Sequence, residues 1–242
     1  MDRPVKVAAA AIEDGAGVRI WRLFPSPEYG SFDPFVLLDE FFVKKGTGFP
    51  EHQHRGFEAV TYMIDGAFRH KDTLGNDTTV LEGGAQRFSA GKGIVHSEMP
   101  GSDEGCHGFQ LWINLPIHLK RSEPEYQQVN PEQIKTEVNG NVEIRTILGG
   151  NSPVKHFTPA QFKDFRLSGA SSLSLPIPFH NGFLYVYSGE VETEYGPLMA
   201  HEALFLKKTG VIQVDAKDPV RFIMVSGNPL NQPIVIRGSF VE

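Results

Sequence analysis

Short apolar runs rich in Val, Ile, Phe and Thr recur along the chain, and turns containing glycine or proline separate them. Clear examples lie at 34–43, 57–66, 107–116 and 183–195. Several of them alternate apolar and polar residues, which is the period of a half-buried β-strand. The pattern predicts an all-β sandwich or barrel with few short helices.

Three segments interrupt this strand pattern. The best helix candidate is 158–165, TPAQFKDF, with Thr158 as N-cap and Pro159 at the first helical position. The segment 73–77, TLGND, predicts a hairpin turn in which Gly75 and Asn76 take positive φ. The polar, proline-bearing segment 121–135 shows no sustained alternation and is interpreted as a connector between two halves.

The two halves share a weak internal repeat. MIDGAFRHKDTLG in the first half is echoed by VYSGEVETEYG in the second, and each has a strand, a glycine, another strand and a turn glycine. The two glycines are nine residues apart in the first copy and seven in the second. This repeat suggests a duplicated β-barrel, divided into residues 1–130 and 131–242.

Composition narrows the function classes. A formal net charge of −6 and the absence of basic clusters argue against direct binding of nucleic acid. The chain has no run of 18 apolar residues, so no membrane span is predicted. The lone Cys106 cannot form an internal disulfide, and the N-terminus lacks a signal-peptide pattern, so we expect a cytoplasmic protein.

Two pairs of polar residues stand at the starts of predicted strands. His52 and His54 are two residues apart, as are His96 and Glu98. Residues i and i+2 of a strand point to the same face, so each pair could aim both side chains into a barrel. A solvated polar pair is the alternative for each alone, but two such pairs favour one metal site with three histidines and a glutamate.

The surrounding residues resemble known motifs. Gly46, followed after five residues by His52-x-His54 and then Glu58, resembles the first motif of the cupin superfamily, and 91–96 resembles the second. Two features depart from the usual cupin pattern: glycine stands at position 91, and seven residues separate Glu58 from Gly66. The segments 33–41, 52–76, 90–100 and 109–116, with 227–242 near the end, closely resemble the pirin family.

This resemblance implies a bicupin: two antiparallel, jelly-roll β-barrels packed face to face, the first over 1–130 with a metal site and the second over 131–242 without one. The implied metal ligands are His52, His54, His96 and Glu98. Glu58, which the general cupin motif would nominate, is expected to be a hydrogen-bonding partner or a rim carboxylate instead.

The second barrel lacks the ligand pattern. Aligning Gly189 with Gly66 places Leu175 and Ile177 at the positions of His52 and His54. Apolar side chains cannot bind a metal ion. The remaining histidines, at 70, 107, 118, 156, 180 and 201, are interpreted as surface or core residues.

The resemblance also implies a chemistry. Imidazole and carboxylate ligands suit Fe(II), the expected metal, and also Mn, Co, Ni or Cu. Some family members act as dioxygenases of the quercetin 2,3-dioxygenase type, on a small aromatic enol and dioxygen. In such a site Glu98 would be the general base, and Gln110, Phe49 and Phe57 are candidates to contact the substrate, with core packing as the alternative for the phenylalanines.

The alternative function is regulatory. Other members of this family resemble transcription coregulators, in which iron acts as a switch on a surface that binds a protein partner. A metal-binding cupin without catalysis is a third interpretation. Because a bicupin packs its two barrels within one chain, a monomer is compatible with all three.

Overall fold

The computed structural model describes residues 3–27, 29–207 and 210–242, and this part of the chain is almost entirely β-structure. Its helices are two 3₁₀ turns, Ile117–Leu119 and Pro131–Gln133, and none is long and apolar enough to cross a membrane. The strands in chain order are β1 Val5–Ala8, β2 Ala10–Asp14, β3 Val18–Phe24, β4 Phe35–Val43, β5 Phe49–His54, β6 Phe57–Asp72, β7 Asp77–Leu81, β8 Ala85–Ser89, β9 Ile94–Pro100, β10 Cys106–Asn114, β11 Glu125–Val129, β12 Lys135–Asn139, β13 Val142–Leu148, β14 Ala160–Leu167, β15 Ser171–Ile177, β16 Asn181–Ser188, β17 Glu190–Thr193, β18 Gly196–Met199, β19 Glu202–Lys207, β20 Gly210–Ala216, β21 Val220–Gly227, β22 Ile236–Arg237 and β23 Phe240–Val241. The predicted all-β class is confirmed.

The described residues form two compact units. The N-terminal unit contains Ala10–Ile134, Pro153–Thr158 and Leu230–Glu242, and the C-terminal unit contains the described residues up to Ala9, Lys135–Ser152 and Pro159–Pro229. A single boundary near residue 130 would therefore place three segments in the wrong unit. These are the described residues up to Ala9, residues 153–158 and residues 230–242. The segment 230–242 matters most for the site, because it returns to the N-terminal unit.

The N-terminal unit is built around the long strand β6. Residues 57–66 of β6 pair with β10, whereas residues 67–72 pair with β7 and β9. The sheet that contains the first part has the order β11-β8-β6-β10-β4-β3-β2. Gly66 stands at the change, with φ of 73°, and a Cβ there would lie 2.3 Å from the carbonyl oxygen of Gly105. Only glycine allows this bend and close approach.

The C-terminal unit repeats the plan with an apolar interior. Its sheets have the orders β1-β19-β16-β21-β14-β13-β12 and β15-β20-β17-β18. Gly189 corresponds to Gly66, with φ of 83°, and a Cβ at this position would lie 2.7 Å from the carbonyl oxygen of Pro219. Leu175 and Ile177 are buried in the apolar core of this unit. The positions that align with His52 and His54 are therefore used for packing.

Residues 158–165 do not form the predicted helix, and this prediction was wrong. Residues 160–167 are β14, whose burial mostly alternates along the strand. Phe162 and Phe165 are buried, and the strand pairs with both β13 and β21. The expected N-cap, Thr158, instead donates its hydroxyl hydrogen to the carbonyl oxygen of Asn114 at 2.8 Å. Two neighbouring strands thus outweigh a local helix-start signal.

Two smaller expectations also change. The hairpin turn at 73–77 is present and Gly75 has φ of 91°, but Asn76 does not have positive φ and instead donates hydrogen bonds to Asp72. The segment 121–135 is more than a connector. Its residues 125–129 form β11, which pairs with β8 and packs the partly buried Tyr126 against an apolar cluster of the N-terminal unit.

Candidate metal centre

Two neighbouring strands of the N-terminal unit carry the two sequence motifs. β5 pairs antiparallel with β9, so that His52 lies opposite His96, 44 residues away in sequence. The register shifts between Phe49 and His52. An irregularity of this kind re-aims side chains, and it lies at the start of the HxH motif.

The structure brings the three predicted histidines together. One ring nitrogen from each of His52, His54 and His96 lies within 4.8 Å of the others, and Nε2 of His96 is 3.0 Å from Nε2 of His52. A second group, His70, His96 and Glu98, meets the same 4.8 Å limit. Glu98, the fourth predicted ligand, therefore belongs to an overlapping group that shares His96.

The protonation of the histidines favours metal binding. Burial lowers the pKa of His52 and His96 and lowers the pKa of His54 to about 3, so all three are neutral at pH 7. Nδ1 of His52 lies 2.7 Å from the carbonyl oxygen of Pro50, and Nδ1 of His54 lies 3.3 Å from that of Ser239. Carbonyl oxygens only accept, so both Nδ1 atoms carry the proton and both Nε2 atoms have a free lone pair.

The donor set fits a divalent metal ion. Two imidazole nitrogens without protons, a third imidazole and a buried carboxylate are ligands that suit Fe(II), and also Mn, Co, Ni or Cu. The sole cysteine, Cys106, is in neither of the two groups, so the set contains no thiolate. In the described residues both candidate groups lie in the N-terminal unit.

Glu98 is buried between two amide side chains. Nε2 of Gln86 donates to its Oε1 at 2.6 Å, and Nε2 of Gln110 donates to its Oε2 at 2.9 Å. Burial raises the pKa of Glu98 to about 7, against the opposing effect of these hydrogen bonds. Its carboxyl group therefore exchanges a proton near neutral pH.

A cavity of about 450 Å³ opens onto this cluster. Besides His52, His54 and Glu98, it is lined by Phe49 and Gln110, both predicted to contact substrate. Its apolar walls also include Val36, Leu37, Phe41, Trp112 and Ile236. A cavity with apolar walls and a few converging polar groups is typical of a small-molecule site.

An ion pair contributes a charged part of the cavity wall. Nε and Nη2 of Arg22 donate to the two carboxylate oxygens of Asp39 at 2.8 and 2.7 Å, and Nη2 also donates to Asp14 at 2.9 Å. Burial raises the pKa of Asp39, while its contacts with Arg22 oppose the shift. Two carboxylates and one guanidinium leave this wall with a net negative charge when all are ionised.

Phe57 and Glu58 lie outside the cavity. Phe57 is fully buried, and its ring stacks on Trp112 with centroids 4.0 Å apart, so it supports the wall from behind. Glu58 accepts hydrogen bonds from Nε and Nη2 of Arg87 and from the backbone N–H of Phe157 and Thr158. Its carboxylate thus holds the backbone at Phe157 and Thr158.

Several residues of the site escaped the sequence interpretation. Trp112 could have been found, because it is two residues from Gln110 on one strand and must share its face. Its Nε1 donates to Oε1 of Gln110 at 2.9 Å. Arg22, Asp39 and Gln86 carried no local signal, since each comes from a different strand.

Among the remaining histidines, His70 is a core residue, which is one of its two sequence interpretations, and it lies next to the metal cluster. Its ring is fully buried beside His96, at the edge of the metal cluster. By contrast, His107 pairs with Glu40 at 2.8 Å, and His118 is exposed on the first 3₁₀ turn.

Comparisons with known proteins agree with this architecture. The family described as Pirin matches residues 17–113, and the Pirin C-terminal cupin domain matches residues 162–242. A pirin-like protein of Arabidopsis thaliana is 40% identical over 98% of this chain and 82% of its own length. A Pseudomonas aeruginosa protein with the provisional name quercetin 2,3-dioxygenase is 37% identical over 94% of this chain and 87% of its own. The crystal structure of a quercetin 2,3-dioxygenase from Acinetobacter baumannii superposes with a TM-score of 0.90 at 28% identity, covering 98% of this chain and 90% of that one.

Proposed function

The chain belongs to the pirin family, and we propose that it is a metal-dependent dioxygenase of the quercetin 2,3-dioxygenase type, acting on a flavonol or a similar aromatic enol. The observation that carries the proposal is the cavity of about 450 Å³ in which His52, His54 and Glu98 meet apolar walls. The names of the Pseudomonas and Acinetobacter relatives support the same reaction class.

The proposed ligands are His52, His54, His96 and Glu98, and the proposed metal is Fe(II). These four residues would hold the ion, and the ion would supply Lewis acidity towards a substrate oxygen and a site for dioxygen. Mn, Co, Ni and Cu share these ligand preferences, so each of them has to be tested beside Fe(II).

Glu98 is the proposed general base. A bound metal ion would supply Lewis acidity that lowers the pKa of the substrate's enol hydroxyl. Burial raises the pKa of Glu98 to about 7 in the absence of a metal ion, so a Glu98 carboxylate that has left the metal would accept the enol proton near neutral pH. Gln86 and Gln110 hold its two oxygens in place, so the carboxylate is oriented before it accepts the proton.

Gln110 is the proposed donor to a substrate oxygen. An amide nitrogen carries two hydrogens. In the described residues one hydrogen of Nε2 is used for Glu98, and Oε1 accepts from Trp112. The second hydrogen remains to bind an oxygen in the cavity, and its position is set by two partners.

The apolar wall would bind the aromatic rings of the substrate. Phe49 and Trp112 offer flat surfaces on which a ring can stack. Filling the cavity with an aromatic molecule would exclude water from Glu98, which keeps the enol proton transfer within the site.

Metal content and oxygen uptake test the proposal together. Anaerobic metal-free protein would be loaded with Fe(II), Mn(II), Co(II), Ni(II) or Cu(II), and oxygen uptake followed after quercetin is added. His52→Ala and Glu98→Ala are the test variants, and His118→Ala is the matched control, since His118 is an exposed histidine of the same unit.

We expect one metal ion per chain and uptake that both test variants abolish and the control retains. Tight metal binding without uptake from any metal would refute the dioxygenase and favour the regulatory alternative. The next measurement would then be the metal dependence of binding to a protein partner.

A further inference from the structure

His70 lies between a proposed metal ligand and a buried carboxylate. Its Nδ1 is 3.4 Å from Nδ1 of His96, and its Nε2 is 3.0 Å from Oδ2 of Asp72. The ring of Tyr126 stacks on it with centroids 4.4 Å apart and planes inclined by 17°, which fixes the plane of the imidazole. The side chains of His70 and Asp72 are both completely shielded from solvent.

Asp72 acts only as an acceptor. Its Oδ1 accepts from the backbone N–H groups of Leu74 and Asn76, at 2.9 and 3.1 Å. The side-chain amide of Asn76 donates to both of its oxygens. With every other neighbour donating, the contact with His70 requires the proton to be on Nε2 of His70.

The proton on Nε2 of His70 determines which ring nitrogen of His96 carries a proton. A neutral imidazole with its proton on Nε2 has its lone pair on Nδ1, so His70 accepts at Nδ1. His96 must then carry its proton on Nδ1, and its Nε2 is left bare. That Nε2 faces Nε2 of His52, which is also bare because its Nδ1 donates to a carbonyl. Two bare nitrogens 3.0 Å apart repel each other unless a cation lies beside them.

We infer that His70, oriented by Asp72, is a positioning residue that holds the proton of His96 on Nδ1 and so turns the Nε2 lone pair of His96 towards the metal. The inference rests on the proposed metal site but not on turnover. It extends the site from its ligands to the hairpin turn at 73–77, whose backbone anchors Asp72.

The competing role for His70 is that of a ligand. His70, His96 and Glu98 also have ligand atoms within 4.8 Å of one another. In that arrangement the metal would take Nδ1 of both His70 and His96, the two atoms that face each other here. His52 and His54 would then bind no metal, although both present lone pairs to the cavity.

The test measures Zn(II) binding and histidine tautomers in the full-length chain, without substrate. Zn(II) affinity is determined by competition with a chelator for the wild type, Asp72→Asn and His70→Phe. Asn76→Ala is the matched control, because it removes two hydrogen bonds to Asp72 and leaves the contacts of His70 with His96 and Asp72 intact. Circular dichroism and the melting temperature of each metal-free variant report whether it folds.

Long-range ¹⁵N–¹H correlation spectra of the zinc-loaded wild type identify the nitrogens directly. We expect His96 to be coordinated through Nε2 with its proton on Nδ1, and His70 to be uncoordinated with its proton on Nε2. Loss of an oriented partner behind a ligand typically weakens metal affinity by about 10- to 100-fold. We expect a loss of that size for Asp72→Asn and His70→Phe and no comparable loss for Asn76→Ala.

Each other outcome overturns the inference. Coordination of Zn(II) by a nitrogen of His70 would make His70 a ligand. Unchanged Zn(II) affinity in both test variants would show that Asp72 and His70 do not act on His96. An equal loss in Asn76→Ala would assign the effect to damage of the hairpin turn. If a variant fails to fold, the wild-type spectrum alone still decides between the two roles. Absence of quercetin turnover would leave all these results standing.

Discussion

Replacing Glu58 by glutamine removes a buried charge from the N-terminal unit with little change of shape. The general cupin pattern nominates this residue as a metal ligand, whereas its carboxylate contacts Arg87 and the backbone of Phe157 and Thr158. The substitution therefore separates a role in metal binding from a role in stability.

The expected cost follows from the burial of the pair. Glu58 and Arg87 are almost completely buried, and removing one member of such a pair usually costs about 3–5 kcal/mol. Arg87 keeps a second carboxylate, since its Nη1 donates to Glu125 at 2.7 Å. We therefore expect a loss near the lower end, about 3 kcal/mol. For a chain of this length that is a decrease of about 6 to 12 °C in Tm.

Thermal unfolding and Zn(II) titration of Glu58→Gln check this reasoning. We expect the lower Tm with unchanged metal stoichiometry and affinity. Glu125→Gln is the control, because Glu125 is half exposed and an exposed ion pair is worth at most about 1 kcal/mol. A variant that keeps its Tm but loses the metal would show that Glu58 is a ligand, and its contacts with Arg87 and the backbone would then not explain its role.

Three further predictions concern other parts of the chain. Burial raises the pKa of Glu98 to about 7, so below that pH the carboxyl group must release a proton before it can bind a metal ion. We therefore expect the Zn(II) affinity to fall about tenfold per pH unit from pH 7 to 5. An equal pH dependence in Glu98→Gln would contradict this. Gly66→Ala should lower the stability measured by urea unfolding more than Gly75→Ala does. A Cβ at position 66 would meet the carbonyl oxygen of Gly105, whereas no atom lies within 4 Å of a Cβ at position 75, where backbone strain alone costs about 1–2 kcal/mol. Similar losses in the two variants would refute the steric argument. Leu175→Ala should destabilise the protein by about 2–5 kcal/mol, because Leu175 lies in the apolar core of the C-terminal unit. The Zn(II) stoichiometry should stay unchanged. A parallel loss of metal would show that the metal site depends on that core.

Local sequence patterns were sufficient for the fold class and for the histidine motifs. Alternation of apolar and polar residues predicts strands because side chains on a strand alternate between faces. The same rule placed His52 and His54 on one face, and His96 and Glu98 on one face. The resemblance to the pirin family rested on whole segments, such as 33–41, 52–76 and 90–100.

The same local reasoning failed where a distant strand decides the conformation. TPAQFKDF carries helix-start residues, yet β13 and β21 on either side make it a strand. Likewise, 125–129 looks like a polar connector, and only its pairing with β8 reveals a strand that places Tyr126 against His70.

The amino-acid sequence by itself determined the all-β class, the duplicated plan and the side chains able to bind a metal, because these depend on residue type and on spacings of a few positions. Only the tertiary structure decided what surrounds them. The carbonyl of Ser239 on His54, the pair Arg22–Asp39 in the cavity wall and the chain from Asp72 through His70 to His96 join residues from different strands or from distant turns. Such neighbours arise from the pairing of strands far apart in the chain, which leaves no periodic trace in either strand alone.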